Sequence, residues 1–364
     1  MGVLFSLLAA LTVIILAFMV MFYTPFFPHM RTQYILMTIN TSNPWLATSF
    51  FSKATINAVL NDNRVESPDG ETDPDLIQIV ARTTVPSTTT TAGSGTTGSA
   101  SGTSSTASTA ATTTSPPVTQ ATTTVPPLPA GSVQVIYDQG GIVIHQIQGD
   151  SYVARMVQVA DPSRVKLELS HRFLSFGEKL AHLCQRTKAI VGINAGGFDD
   201  PKGSGNGGTP TYLCVKDYKI VYTDGAKKHR VIGLNEDNIL VLGEFTNEEI
   251  IEKRIRDAVS FGPFLIVNGK PARTYGAAGG KDPRAAIGQK ADGTILLLTI
   301  DGRQPGMEGG NMRTIIDLMQ QYDAVTAANL DGGSSTTMVL NGKIINKPCS
   351  LYGPRYLPNA WIVQ

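Results

Sequence analysis

The chain has 364 residues and a formal net charge of +1, with 16% of its residues charged. That balance excludes the basic footprint of a nucleic-acid binder and any polybasic lipid contact, while the length suits one sizeable domain with accessory segments. Three cysteines with no C-x-x-C pair argue against a zinc cluster and leave at least one thiol unpaired, whether Cys184 and Cys214 are buried thiols or a disulfide.

Val3–Tyr23 carries no charge and is almost wholly apolar, and roughly 20 such residues cross a bilayer core. A cleavable signal would be followed by small residues. Here Phe22, Tyr23, Phe26 and Phe27 follow, as in an interfacial aromatic belt, so residues 1–30 are expected to be an uncleaved transmembrane anchor. Residues 31–82 read as a juxtamembrane segment with a helix over Ser52–Asn61, where Ile56, Val59 and Leu60 share a face. The acidic run near Glu71 to Asp75 reads as solvated. Between Arg82 and Asp138 there is no charged residue. Thr, Ser, Ala, Gly and Pro dominate residues 83–130, with too little apolar bulk to repay ordering. This composition reads as a disordered, O-glycosylation-prone stalk. A stalk of that kind places the C-terminal domain outside the cell.

Residues 131–364 read as an α+β domain: strand-rich, with mixed or antiparallel sheet, hairpins and a few helices. Strands are expected at Val133–Tyr137, Gly141–Gln146, Ser151–Val159 and Val165–Leu169, as one meander. A helix follows, with Ser175 and Glu178 as its capping box and Phe176, Leu180, Leu183 and Cys184 as its apolar stripe. The strand Ala189–Asn194 comes next. Thr246 and Glu249 predict a second capped helix, and Ile315, Ile316, Leu318 and Met319 a third over Met312–Tyr322. Asn268–Gly269, Asn341–Gly342 and Asp292–Gly293 suit two-residue type I′ hairpin turns.

Four strand-end loops join glycine to polar groups, as binding loops often do. They are GINAGGFDD, with Asn194, Gly196, Gly197, Phe198, Asp199 and Asp200; DPRAAIG, with Asp282 and Arg284; TIDGRQPG, with Asp301 and Arg303; and NLDGGSSTTM, with Asn329, Asp331, Gly332, Gly333, Ser334 and Ser335. Two carboxylates are the working part of most glycosidases. Two arginines suit phosphate oxygens, and glycines let backbone N–H groups approach an anion. The glycine-rich stretch after Lys202 lacks the G-K-[ST] of a nucleotide P-loop, and Ser334 lies outside any G-x-S-x-G. No spacing supports a metal site, and no cofactor is expected.

Through INAGGF, FGPFLIVNGK, DPRAAIG, LLLTIDGRQPG, NLDGGSSTTMVLNGKIIN and RYLPNAWIV, in that order, residues from about Gly141 to Val363 resemble the phosphodiester glycosidase family. The anchor and NPWLATSFFS are similar to bacterial, membrane-anchored members. The resemblance implies cleavage between a sugar's anomeric carbon and a phosphate oxygen, on an extracellular glycan or wall polymer. It implies Arg284 and Arg303 at the phosphate and Asp301 and Asp331 at the anomeric centre. Asn194 and Asn329 would hold sugar hydroxyls, Phe198 would offer an apolar face, and Gly196, Gly197, Gly332, Gly333 and Ser334 would line the site. The competing expectation is a non-catalytic surface protein that binds polysaccharide or helps assemble it.

Overall fold

Three antiparallel sheets share one interior. The computed structural model describes residues 2–24, 27–39, 44–79, 129–201, 205–350 and 352–364. The expected stalk therefore lies outside the described residues, except for its last two positions.

The first sheet has eight strands, in spatial order Lys270–Pro271, Phe264–Val267, Ala324–Leu330, Arg284–Lys290, Ile295–Ile300, Val153–Val159, Ile142–Gln148 and Val133–Gln139. The second runs Lys343–Ile344, Met338–Leu340, Val191–Asn194, Asn359–Val363 and Val165–Leu169. The third runs Leu240–Phe245, His229–Asn235, Ile255–Val259, Leu213–Lys216 and Lys219–Thr223. Val165–Leu169 thus leaves the expected meander. It pairs with Asn359–Val363, Leu167 opposite Trp361.

Period-2 side-chain alternation explains the layering. Ile287, Leu297 and Ala328 face inward with Trp361 and Ile193 of the second sheet and Ile232 and Leu242 of the third. Ala286, Leu296, Leu298 and Ile300 face outward, where the helix Met312–Gln321 covers them with Ile315 and Met319. Ile295–Ile300 is apolar at nearly every position because both its faces are covered. Each such side chain contributes roughly 1.5–3 kcal/mol by leaving water.

The local signals divide. The Thr246 box forms in full, its side chain accepting from Glu249 N–H and Glu249 returning a bond to Thr246 N–H. Ser52 caps Lys53–Asp62 by accepting from Thr55 N–H. The Ser175–Glu178 box does not form. The helix begins at Leu180, and Glu178–Lys179 is a strand paired with Tyr356–Leu357. The Glu178 carboxylate accepts instead from His171 N–H and the Arg186 guanidinium. Asn268–Gly269 and Asn341–Gly342 have positive φ at both positions, as type I′ demands. At Asp292–Gly293 only the glycine does, and Gly293 N–H bonds Lys290 while Lys290 N–H bonds Thr294, a longer turn. Cys184, Cys214 and Cys349 are all free thiols.

Met1–Val80 and Pro129–Gln364 fall in one compact unit. A helix spans Gly2–Tyr23, and its Phe5–Tyr23 portion is long and apolar enough to cross a membrane. Phe18, Met21 and Phe22 pack with Tyr34, Leu36, Phe51 and Ile56 from the helices Pro28–Ile39 and Lys53–Asp62 and the chain between them, and with Ala277 of the C-terminal part. Val65–Glu66 pairs with Arg273–Thr274. Thr72 exchanges bonds with Leu242, and Gln78 N–H bonds Ala291. The residues before the Ser/Thr-rich stretch are therefore part of the fold that follows it.

Candidate active site

One end of the first sheet opens into a cleft of about 740 Å³. Register explains why distant loops meet there. Ala285 is opposite Leu330 and Ala286 opposite Asn329, which carries Arg284 to the level of Asp331. Asn329 N–H bonds Pro263 O and its Nδ2 donates to Gly262 O at 2.8 Å, so the 261–263 loop closes the same end. Asn329 is 3% exposed, and its Oδ1 has no partner among the described residues. A buried acceptor on a cleft wall is placed for a ligand hydroxyl.

Three guanidinium groups line the cleft. Arg284 donates through Nε to Gly310 O at 3.1 Å and through Nη2 to Gly280 O at 2.7 Å and Gly279 O at 3.3 Å. No carboxylate is within hydrogen-bond reach of it among the described residues, so its charge is balanced only at a distance. Burial pulls its pKa down, Asp282 opposes this and Arg303 reinforces it. Arg303 pairs with Asp282 at 2.6 Å. Its φ of 53° is in the left-handed region, uncommon for a residue with a side chain, and the Gln304–Met307 turn holds it there. Arg355 pairs with Asp200 at 2.8 Å, donates to Ser334 Oγ at 3.3 Å and lies 5.2 Å from the Phe198 ring centroid.

Asp331 is a carboxylate that shares the cleft with these cations, and the charge of Arg355 acts on it. Burial pushes its pKa up to about 6. Hydrogen bonds from the Ser335 side chain and Gly332 N–H and the charge of Arg355 pull it down, while the charge of Asp200 pushes it further up. The loop is held from beneath: Asn194 Nδ2 donates to Asp331 O at 2.5 Å, and Asn194 Oδ1 accepts from Thr337 N–H at 3.1 Å. Gly333, with φ of 58°, packs against the Arg303 guanidinium, where even a β-carbon would lie 3.4 Å from Nη1.

Of the residues expected to form a site, Arg284, Arg303, Asp331, Gly197, Phe198, Asn329, Gly332, Gly333 and Ser334 line this cleft. Asp301, Asn194 and Gly196 do not. Asp301 is 1% exposed, pairs with Arg155 at 2.6 Å and accepts from Asn346 Nδ2 and Lys347 N–H. Its position follows from the pleat. Arg284 is opposite Ile300, and Arg155 opposite Thr299. One residue past Ile300, Asp301 therefore shares a face with Thr299 and Arg155, opposite that of Arg284. Asn194 and Gly196 are braces beneath the floor; Gly196 N–H bonds Asn359 Oδ1 at 3.0 Å. Phe198 gives one ring face to Arg355. Asp200 and Asp282, which the loops offered without a role, line the cleft too, as does Arg355, which was not expected there. Arg355 has a discernible signal: it stands a few residues ahead of the fully buried strand Asn359–Val363. Among the described residues no three His, Cys, Asp or Glu side chains gather as for a metal.

Comparison with known proteins follows these elements. Residues 187–364 match the family model described as phosphodiester glycosidase, so the match starts later than the Gly141 boundary expected from the motifs. The human N-acetylglucosamine-1-phosphodiester alpha-N-acetylglucosaminidase is 30% identical over 152 residues, 37% of this chain and 29% of that protein. The SPbeta prophage-derived uncharacterized protein YomE of Bacillus subtilis is 29% identical over 175 residues, 46% of this chain and 27% of that protein. The chain thus spans less than a third of these relatives' lengths. The zebrafish N-acetylglucosamine-1-phosphodiester alpha-N-acetylglucosaminidase catalytic domain, auto-inhibited by its pro-peptide, superposes with a TM-score of 0.50 at 21% identity, over 64% of this chain and 81% of that one. It shows the shared fold.

Proposed function

Residues 187–364 carry a phosphodiester glycosidase-family domain, and from that premise we propose that the chain hydrolyses the bond between a sugar's anomeric carbon and phosphate, outside the cell and anchored by its N-terminal helix. The observation that carries this reading is Asp331, its pKa raised to about 6, in a cleft lined by Arg284, Arg303 and Arg355.

A phosphodiester already carries negative charge and leaves readily, so the site has little need of a strong acid. What it must stabilise is charge: anionic on the departing phosphate, cationic on the sugar ring. Arg284, bonded among the described residues to carbonyls alone, takes the phosphate, with Arg303 beside it. Asp331, mostly ionised near neutral pH, accepts the proton of an attacking water. The water oxygen bonds to the anomeric carbon, the carbon–oxygen bond to phosphate breaks, and the phosphate oxygen keeps the electron pair. The free Asn329 Oδ1 accepts from a sugar hydroxyl, and the Gly197 and Gly332–Gly333 backbone leaves room for the ring. Asp200 and Asp282 hold Arg355 and Arg303 in place. In this reading Asp301 acts through the fold and not at the anomeric carbon.

The test is release of free sugar from a panel of sugar-1-phosphodiesters by the purified full chain. Turnover is expected to fall by about 10²–10⁴ in Asp331→Asn. Undiminished turnover in Asp331→Asn and Arg284→Ala together would remove this cleft from the chemistry. Tight glycan binding with no turnover would make the domain a binding module.

A further inference from the structure

The cleft shares a wall with the segment that leads out of the apolar N-terminal helix. Gly279 lines the cleft, and the carbonyls of Gly279 and Gly280 hold the Arg284 guanidinium. On its other side this loop meets the juxtamembrane helices. Gly280 approaches so closely that a β-carbon there would lie 3.1 Å from Leu36 Cβ. Asn63 O accepts from Gly279 N–H at 2.9 Å, and Asn63 Oδ1 from Ala277 N–H at 2.6 Å. Leu36 belongs to the cluster that also takes in Phe22. Phe22 is 4.9 Å from the Tyr34 ring, and Phe18 is 5.1 Å from the Phe50 ring. Contacts therefore run without a break from the last turns of the apolar helix to the backbone that orients Arg284.

Two features tie the cleft to the end of the apolar helix. Leu36 lies about two turns into its helix, ~12 Å along the axis at 1.5 Å per residue. The tie to the apolar helix runs through residues ahead of the Ser/Thr-rich stretch, which are docked on the C-terminal domain. The exposed side chains beside the apolar helix are those of an interface: Phe27 is 48% exposed, Trp45 54% and Phe50 42%. Aromatic residues of that kind sit at headgroup level.

We infer that the substrate is lipid-carried: a sugar joined through its anomeric carbon to the phosphate of a membrane-embedded lipid alcohol, cleaved in the membrane that holds the enzyme. This inference rests on the phosphodiester glycosidase reading and names its leaving group. Water adds to the anomeric carbon, the carbon–oxygen bond breaks, and the products are free sugar and a lipid monophosphate that stays in the bilayer. A long soluble polymer would need a cleft that stands clear of the surface. A lipid phosphodiester presents its sugar close to the bilayer, within reach of a cleft joined by direct contacts to the end of the apolar helix.

The experiment uses the full chain in vesicles. One substrate is a polyisoprenyl phosphate carrying N-acetylglucosamine, placed in the same vesicles or in separate ones. The other joins the same sugar phosphate to a water-soluble alcohol. A second protein carries a flexible Gly/Ser spacer of about 20 residues inserted after Thr24, which spans ~25 Å and leaves the cleft residues unchanged. Same-vesicle lipid turnover is expected to exceed separate-vesicle turnover at least about tenfold. The spacer should lower it at least about fivefold while soluble turnover stays within about twofold. Soluble turnover without lipid turnover would overturn the inference and leave the glycosidase reading standing. Lipid turnover indifferent to the spacer would overturn the role of docking. No turnover of either substrate would sink the underlying reading.

Discussion

Replacing Asp331 by asparagine should make the protein more stable and much less active. The pKa of about 6 against an ordinary 3.8 means that the folded chain holds this proton more tightly than the unfolded chain. Stability therefore falls as pH rises between the two values, and above pH 6 the whole cost of the buried charge is present. A shift of about two units at 1.4 kcal/mol each gives ~3 kcal/mol. Asparagine forfeits part of the bond from Ser335, worth ~1 kcal/mol, so the net gain above pH 6 should be ~2 kcal/mol. Urea unfolding of both proteins at pH 7.5 and at pH 3.5 measures it: a gain at the higher pH that vanishes at the lower. A variant destabilised at both, or stabilised equally at both, would refute the account of Asp331 as a charge held against its solvation. The same carboxylate should impose a rise in wild-type turnover as pH climbs through about 6.

Asp301→Asn should cost ~3–5 kcal/mol by leaving Arg155 buried without its counter-charge; urea titration measures that, and turnover per folded molecule should change less than about threefold. Arg284→Lys keeps a positive charge but cannot reach three carbonyls at once, so kcat/KM for a sugar phosphodiester should drop at least about 30-fold, read by steady-state kinetics. Asn63→Ala removes the acceptor of Ala277 N–H and should cost ~1–3 kcal/mol, with faster hydrogen exchange in residues 277–280.

Much of the fold was legible because its signals are local. Thr246 and Glu249 need only each other, and the two Asn-Gly turns need only their own backbone preferences. The Ser175–Glu178 box failed because a distant strand, Tyr356–Leu357, recruits Glu178 and Lys179 into an extended pairing. No local pattern announces that competitor. The cleft was legible where a side chain's destination is set by its own strand end, as at Arg284 and Asp331. It failed at Asp301, because which face a strand-end carboxylate points to depends on register with Arg284–Lys290 and Val153–Val159. Two acid-Gly loops that read alike, LDGG and IDGR, were separated by one step of pleat.

The pairing of Val65–Glu66 with Arg273–Thr274 has a consequence for how the chain responds to proteases. Ile79 and Pro129 belong to the same folded body, so a cut between them does not shed the C-terminal part. The two pieces remain joined by strand bonds, by the Thr72–Leu242 exchange and by the apolar cluster around Leu36. Nicked protein should separate on a denaturing gel and migrate as one species on a native one.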